Sequence, residues 1–228
     1  MVDTLQVSFE EDGFATIQMM NGENRFQLSI IDEWNRALDK VLENKNTKGL
    51  LIKGMGRFFS NGIDLNWLGE QEGDSRRKFM DGLHRMLVRV LVFPVPTAAL
   101  INGHAFGAGA FLALACDFRL MRPDRGWLCW PETAIGMRFG DNLLKVAKSK
   151  IPPGIAQKEA LVYAKRLTGP EAKRLQFADV LTEEAKMPAE ARVLISGALG
   201  RNGISRELLQ NTKTDMYGTE LHHIISKL

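Results

Sequence analysis

The stretch Leu100–Asp117, LINGHAFGAGAFLALACD, constrains the fold more than any other part of the chain. Thr97 to Ile101 is a β-compatible apolar run bounded by Pro94 and Pro96, so it reads as a buried strand. The run breaks at Asn102-Gly103. Gly107-Ala108-Gly109 then opens an unbroken apolar segment, Ala110 to Cys116, that reads as a buried helix. A strand, a loop of small residues and a helix start together present backbone N–H groups that have no partner within the helix. With the helix dipole behind them, such donors suit a developing negative charge. The same residues are equally those of a tight turn packed against a neighbouring helix.

The segments on either side organise around this unit. Leu5 to Phe9 and Phe14 to Met19 alternate apolar and polar residues around Glu11-Asp12-Gly13 and predict a β-hairpin. A helix is expected from an N-cap at Ser29 to about Glu43, then a short strand from Gly49 to Ile52. A second helix should start at Asp74 or Ser75 and stop at Phe93-Pro94-Val95-Pro96. Asp117 to Met121 and Trp127 to Trp130 read as strands. Helices are expected at Asp141 to Lys150, Ile155 to Ala164, Pro170 to Phe177 (capped by Thr168) and Pro188 to Leu199. The first half alternates strand and helix and the last third is helical: an α/β core with a helical C-terminal layer.

Composition excludes several classes. A net charge of +3 over 228 residues, without a block of like charge, gives no footprint for nucleic acid. No 18-residue apolar run suggests a membrane span, and Met1 to Glu11 lacks a basic-then-apolar signal pattern. Cys116 and Cys129 sit in apolar surroundings and read as reduced core thiols. His222-His223 has no third ligand in the sequence, so no metal is expected. The chain ends Ser226-Lys227-Leu228, the tripeptide read by the peroxisomal import receptor.

Three segments could carry chemistry, and each follows a strand. In Arg57 to Leu65, Gly62 allows a sharp turn from which Ile63 can aim its N–H into a pocket, and Arg57 could meet a phosphate. The glycine loop is the second. The third is Trp130 to Gly136, where Glu132 lies among Trp130, Pro131, Ala134 and Ile135. Apolar company disfavours the charged carboxylate and suits it to proton transfer near neutral pH. Two loops with one N–H each and one such carboxylate are the parts needed to remove a proton beside a thioester carbonyl.

FFSNGIDL resembles the FSAGADL-like motif of the enoyl-CoA hydratase/isomerase (crotonase) superfamily. INGHAFGAGAFLALACDFRL is similar to its NGxAxGGGxxLALxCDxR motif, and LTGPEAKRLQFAD to its LTGxEAxxxGLVD segment. The resemblance implies a spiral of strand–strand–helix turns over residues 1–180 with a helical region, 181–228, behind it. It further implies a homotrimer, or a dimer of trimers, and acyl-CoA thioesters as ligands, coenzyme A being part of the substrate rather than a cofactor. By motif position it makes the N–H groups of Ile63 and Ala108 the oxyanion donors and Glu132 the base. Arg25, Phe26, Arg57, Ser60, Asn61, Gly62, Asp64, Leu65, Gly109 and Phe111 fall where the family meets coenzyme A or the acyl group. His104, beside the oxyanion loop, is expected to be a bystander.

Two departures matter. Hydratases of the superfamily hold water between two glutamates, and the first of those positions is Phe111 here. A phenyl ring can neither accept a proton nor orient water, so the pattern resembles that of the single-glutamate Δ3,Δ2-enoyl-CoA isomerases; the alternatives are another crotonase-type acyl-CoA reaction (hydratase or thioesterase) and a non-catalytic acyl-CoA-binding member. NRFQ, FFSNGIDLNW and MRPDRGWL resemble their peroxisomal members of plant type. Beyond Ile135-Gly136, Met137-Arg138-Phe139-Gly140-Asp141 replaces the hydratase-like PGAGGTQRL run, which reshapes the acyl end.

Overall fold

The computed structural model describes residues 4–226. The hairpin forms as expected, β1 (Leu5–Phe9) pairing antiparallel with β2 (Phe14–Met19). Helix α1 (Leu28–Glu43) follows, buried along Ile31, Trp34, Leu38 and Val41. Its N-cap is Gln27 rather than Ser29. Next come β3 (Gly49–Lys53), β4 (Phe58–Ser60), a short helix α2 (Leu65–Gly69) and α3 (Gly73–Leu91). The opening stretch supplies β5 (Thr97–Ile101), β6 (His104–Phe106) and α4 (Ala108–Ala115), the last buried throughout.

Strands β7 (Phe118–Met121) and β8 (Leu128–Cys129) precede a 3₁₀ turn, Glu132–Ile135, and α5 (Asp141–Lys150). The single helix expected from Ile155 to Ala164 is instead one α turn, α6 (Ile155–Gln157), running into a π turn, Lys158–Val162. Helix α7 (Gly169–Arg174) starts from a capping box in which Thr168 and Glu171 satisfy each other's backbone donors. Then follow β9 (Val180–Leu181), α8 (Met187–Leu199) and α9 (Arg206–Ile225).

The strands form two sheets. The larger runs β1-β2-β3-β5-β7-β9 and the smaller β4-β6-β8, the latter wholly parallel. Each turn of the chain therefore leaves one strand in each sheet: β3 then β4, β5 then β6, β7 then β8. This is the spiral that the sequence resemblance implies. Helices α1, α3 and α4 fill one side of the large sheet with the main core. On its other face Met187, Ala191 and Ile195 of α8 cover Phe14, Leu51, Ala98 and Leu120. The C-terminal helices thus close a core built by the earlier residues. Helix α9 is held by Lys213, whose Nζ donates to the Phe93 carbonyl (3.0 Å) and to Asp117 Oδ2 (2.7 Å). Lys227 and Leu228 lie outside the described residues. Among the described residues no helix is long and apolar enough to cross a membrane.

Candidate active site

The small sheet explains where the chemistry-bearing segments meet. Its strands are parallel neighbours, so the chain leaves β4, β6 and β8 at the same edge, where parallel sheets usually bind ligands. From β4 the chain runs to Ile63, from β6 to Gly107-Ala108, and from β8 to Pro131-Glu132. All of these line a cleft of about 650 Å³, together with Arg25, Arg57, Asn61, Gly62 and Leu65.

The Gly62–Asp64 loop is clamped to the residues before α1. Phe26 N–H donates to the Gly62 carbonyl (2.8 Å) and Asp64 N–H to the Phe26 carbonyl (3.1 Å). Because successive N–H groups of extended backbone point to opposite sides, this parallel bridge turns the Ile63 N–H away from Phe26. Ser60 Oγ donates to the Asn24 carbonyl (2.7 Å) and accepts from Gly62 N–H (3.2 Å). A Cβ on Gly62 would stand 2.7 Å from the Phe106 carbonyl oxygen and 3.2 Å from Ala108 N, so only glycine lets the two loops meet. Ala108 is the first residue of α4, where an N–H has no helical acceptor. Among the described residues, no hydrogen bond occupies the N–H of Ile63 or of Ala108.

Glu132 opens the 3₁₀ turn and is only 9% exposed. Its Oε2 is buried without a hydrogen-bond partner, and a Cβ on Gly107 would lie 3.7 Å from its Oε1. Burial raises its pKa from 4.5 to about 7, against a smaller opposing effect of its own backbone N–H. Among the described residues lining the cleft, Glu132 is the sole carboxylate.

Five residues expected to touch a ligand are not among those that line the cleft. Phe26 and Ser60 are buried and hold the loop as described. Asp64 caps α2, accepting from Trp67 N–H (3.1 Å) and Gln27 Nε2 (2.8 Å); the Trp67 bond first, then Gln27, lowers its pKa. Gly109 is a packing position, where a Cβ would meet the Ser60 carbonyl oxygen at 2.4 Å. Phe111 is fully buried, edge-on to Trp130 and Phe139 at 6.1 Å between centroids.

The cleft also has walls the sequence did not announce. His104 belongs to them, 5.0 Å from the Trp127 ring and 5.4 Å from Phe58. Burial first, then the charges of Arg57 and Arg166, lower its pKa. Arg57 stacks on Phe58, and Arg166 over Trp127 at 5.2 Å. Neither Trp127 nor Arg166 carries a local signal, because β8 is two residues long and Arg166 comes from a distant loop. Cys129 lines the cleft too, its thiol pushed up to about 11 mainly by burial. Among the described residues no group of three His, Cys, Asp or Glu side chains could hold a metal ion.

One cleft on a spiral of paired sheets thus holds a buried carboxylate and two N–H groups that no described residue occupies. Residues 10–216 match the family model of enoyl-CoA hydratase/isomerase, and the chain belongs to that family. It is 33% identical to enoyl-CoA delta isomerase 3 of Arabidopsis thaliana over 92% of this chain and 91% of the relative. It is also 33% identical to the peroxisomal enoyl-CoA delta isomerase 2 of the same plant, over 76% of each. In fold it is similar to human mitochondrial delta3-delta2-enoyl-CoA isomerase, with a TM-score of 0.88 at 20% identity over 99% of this chain and 87% of that one.

Proposed function

We propose that the chain is a Δ3,Δ2-enoyl-CoA isomerase, moving the double bond of a 3-enoyl-CoA into conjugation with the thioester during β-oxidation of unsaturated acyl chains. The observation that carries this reading is Glu132, the one carboxylate among the described residues lining the cleft, together with an apolar Phe111 where hydration would need a second acid.

In this mechanism the thioester oxygen accepts from the N–H groups of Ile63 and Ala108. Glu132 removes a proton from C2, and the electron pair of that C–H bond passes into a dienolate whose negative charge the two donors hold. The dienolate then takes the proton back from Glu132 at C4, leaving the double bond between C2 and C3. A pKa near 7 serves both steps, since the carboxylate can accept the proton and release it again. Arg25 and Arg57 offer cations to the coenzyme A phosphates, and no added cofactor enters. We place the enzyme in the peroxisome as a homotrimer; the peroxisomal name of one relative supports the location.

The test is an assay with a 3-enoyl-CoA that follows the absorbance of the conjugated 2-enoyl thioester. Glu132→Gln should slow turnover about 10²–10⁴-fold, the range for a positioned general base. An unchanged rate overturns the mechanism, and hydration of 2-enoyl-CoA at a comparable rate overturns the choice of isomerase over hydratase.

A further inference from the structure

We infer that Phe139 is the residue that sets acyl chain length, a displaceable plug packed over the buried side chain of Phe111. The inference rests on the acyl-CoA reading of the cleft and concerns where the acyl tail goes beyond the reacting carbons.

Near Glu132 the cleft is walled by Ala134, Ile135 and Met137. Ile135 is 49% exposed, and Leu65 across the cleft is 44% exposed. A long tail leaving in that direction stays largely in water, which its apolar surface disfavours. Inward, Met137 lines the cleft, and two residues later the half-buried Phe139 packs edge-on against Phe111. Phe111 lies in the helical turn that begins at Ala108, and its N–H donates to the Gly107 carbonyl (2.9 Å). The ring of Phe139 therefore packs on a buried apolar side chain about one helical turn beyond Ala108.

The backbone around Phe139 is built to move. Gly136 and Gly140 bracket it with φ of +71° and +73°, and a Cβ at either would find nothing within 4 Å. Such residues can change conformation without a steric penalty. The segment is anchored on both sides, by Met137 N–H to the Glu132 carbonyl (2.8 Å) and by Leu144 N–H to the Gly140 carbonyl (3.2 Å). Between those anchors no described hydrogen bond ties Arg138 or Phe139. Side-chain packing alone holds the ring, so an acyl tail of similar apolar character can take its place against Phe111. Short tails leave the plug in position; long tails must displace it.

Phe139→Ala, Phe139→Leu and Phe139→Trp give a graded series. With 3-enoyl-CoA substrates of six, ten and sixteen carbons, Phe139→Ala should raise the C16:C6 ratio of kcat/KM at least 10-fold. Leucine should give an intermediate rise and tryptophan a fall. A ratio within twofold of wild type in every folded variant overturns the inference, as does an equal loss at all lengths. Dissociation constants for saturated C6, C10 and C16 acyl-CoA provide a readout that needs no turnover. If wild type isomerises none of the substrates, the isomerase reading fails, and the C16:C6 binding ratio still decides the role of Phe139. Should the alanine variant fail to fold, leucine and tryptophan decide it by opposite shifts.

Discussion

Glu132 and Asp117 are both largely withdrawn from water, and the molecule surrounds them in opposite ways. Asp117 Oδ2 accepts from Thr97 N–H (2.8 Å), Thr97 Oγ1 (3.1 Å) and Lys213 Nζ (2.7 Å). Close by, Arg119 donates to the Phe177 carbonyl (2.7 Å), to the Cys116 carbonyl (2.8 Å) and to Asp179 (3.3 Å). These bonds fasten α9 and the β9 region to the middle of the large sheet. Glu132 has burial without such partners, and its Oε2 accepts nothing. A satisfied buried carboxylate is a fastener; an unsatisfied one is stored reactivity, because it binds a proton readily. Both residues belong to the stretch from Leu100 to Gly136, so their difference lies in what the rest of the chain brings to them.

The contrast is broken most sharply by exchanging its terms. Glu132→Gln should abolish most turnover, by 10²–10⁴-fold, and leave the melting temperature at pH 7 no lower than wild type. Lys213→Ala should do the reverse. It strands Asp117 without its cation at a cost of about 3 kcal/mol, or a melting point roughly 10 °C lower for a chain of this size. Activity per folded molecule should stay within twofold. Calorimetry and the isomerase assay on both variants check the pair; a Lys213→Ala enzyme that is stable but slow would show that the two regions are coupled.

Gly62→Ala tests the loop contact. The added Cβ would crowd the Phe106 carbonyl and Ala108 N, so an oxyanion donor should be displaced and kcat should fall by about 10²-fold. A fall in stability with kcat intact would reassign Gly62 to packing.

The last test is the pH dependence, and its sign is fixed by the raised pKa. Glu132 must be ionised to take the C2 proton, so kcat/KM should rise with pH and level off above about 7. Stability moves the other way. The folded state holds a proton on Glu132 between the ordinary carboxylate value of 4.5 and about 7, where the unfolded chain has lost it. Stability therefore falls as pH rises through that window, by an amount on the order of 3 kcal/mol. Denaturant unfolding of wild type against Glu132→Gln between pH 4.5 and 8 should show the difference growing with pH; parallel curves would mean that Glu132 titrates as an ordinary surface carboxylate.

The local features of the site were legible because each has a local cause. Gly107 and Gly62 announce places where the backbone must turn or approach closely, and the apolar run after Gly109 announces a buried helix. The same run marks Phe111 as apolar where a second acid would have been needed. Of the small sheet only the β8 segment was legible as a strand, since strands of two or three residues leave little alternation to read. Asp64, Phe26 and Ser60 were expected at the ligand by motif position alone. In the fold Asp64 caps α2, Ser60 Oγ donates to the Asn24 carbonyl, and the Phe26 side chain is buried in the core. His104, Trp127 and Arg166 join the cleft from three separate segments, a juxtaposition that no window of sequence contains.

The sequence by itself determined the parts: a glycine turn feeding a buried helix, a carboxylate in apolar company, and a phenyl ring in place of a second acid. These follow from backbone sterics and side-chain polarity, which act over a few residues. Tertiary structure alone decided that the parts face one another and that Glu132 is left without a partner. Parallel pairing of β4, β6 and β8 brings three distant chain segments to one edge, and burial there is a property of the packed whole, with no counterpart in the residues taken singly.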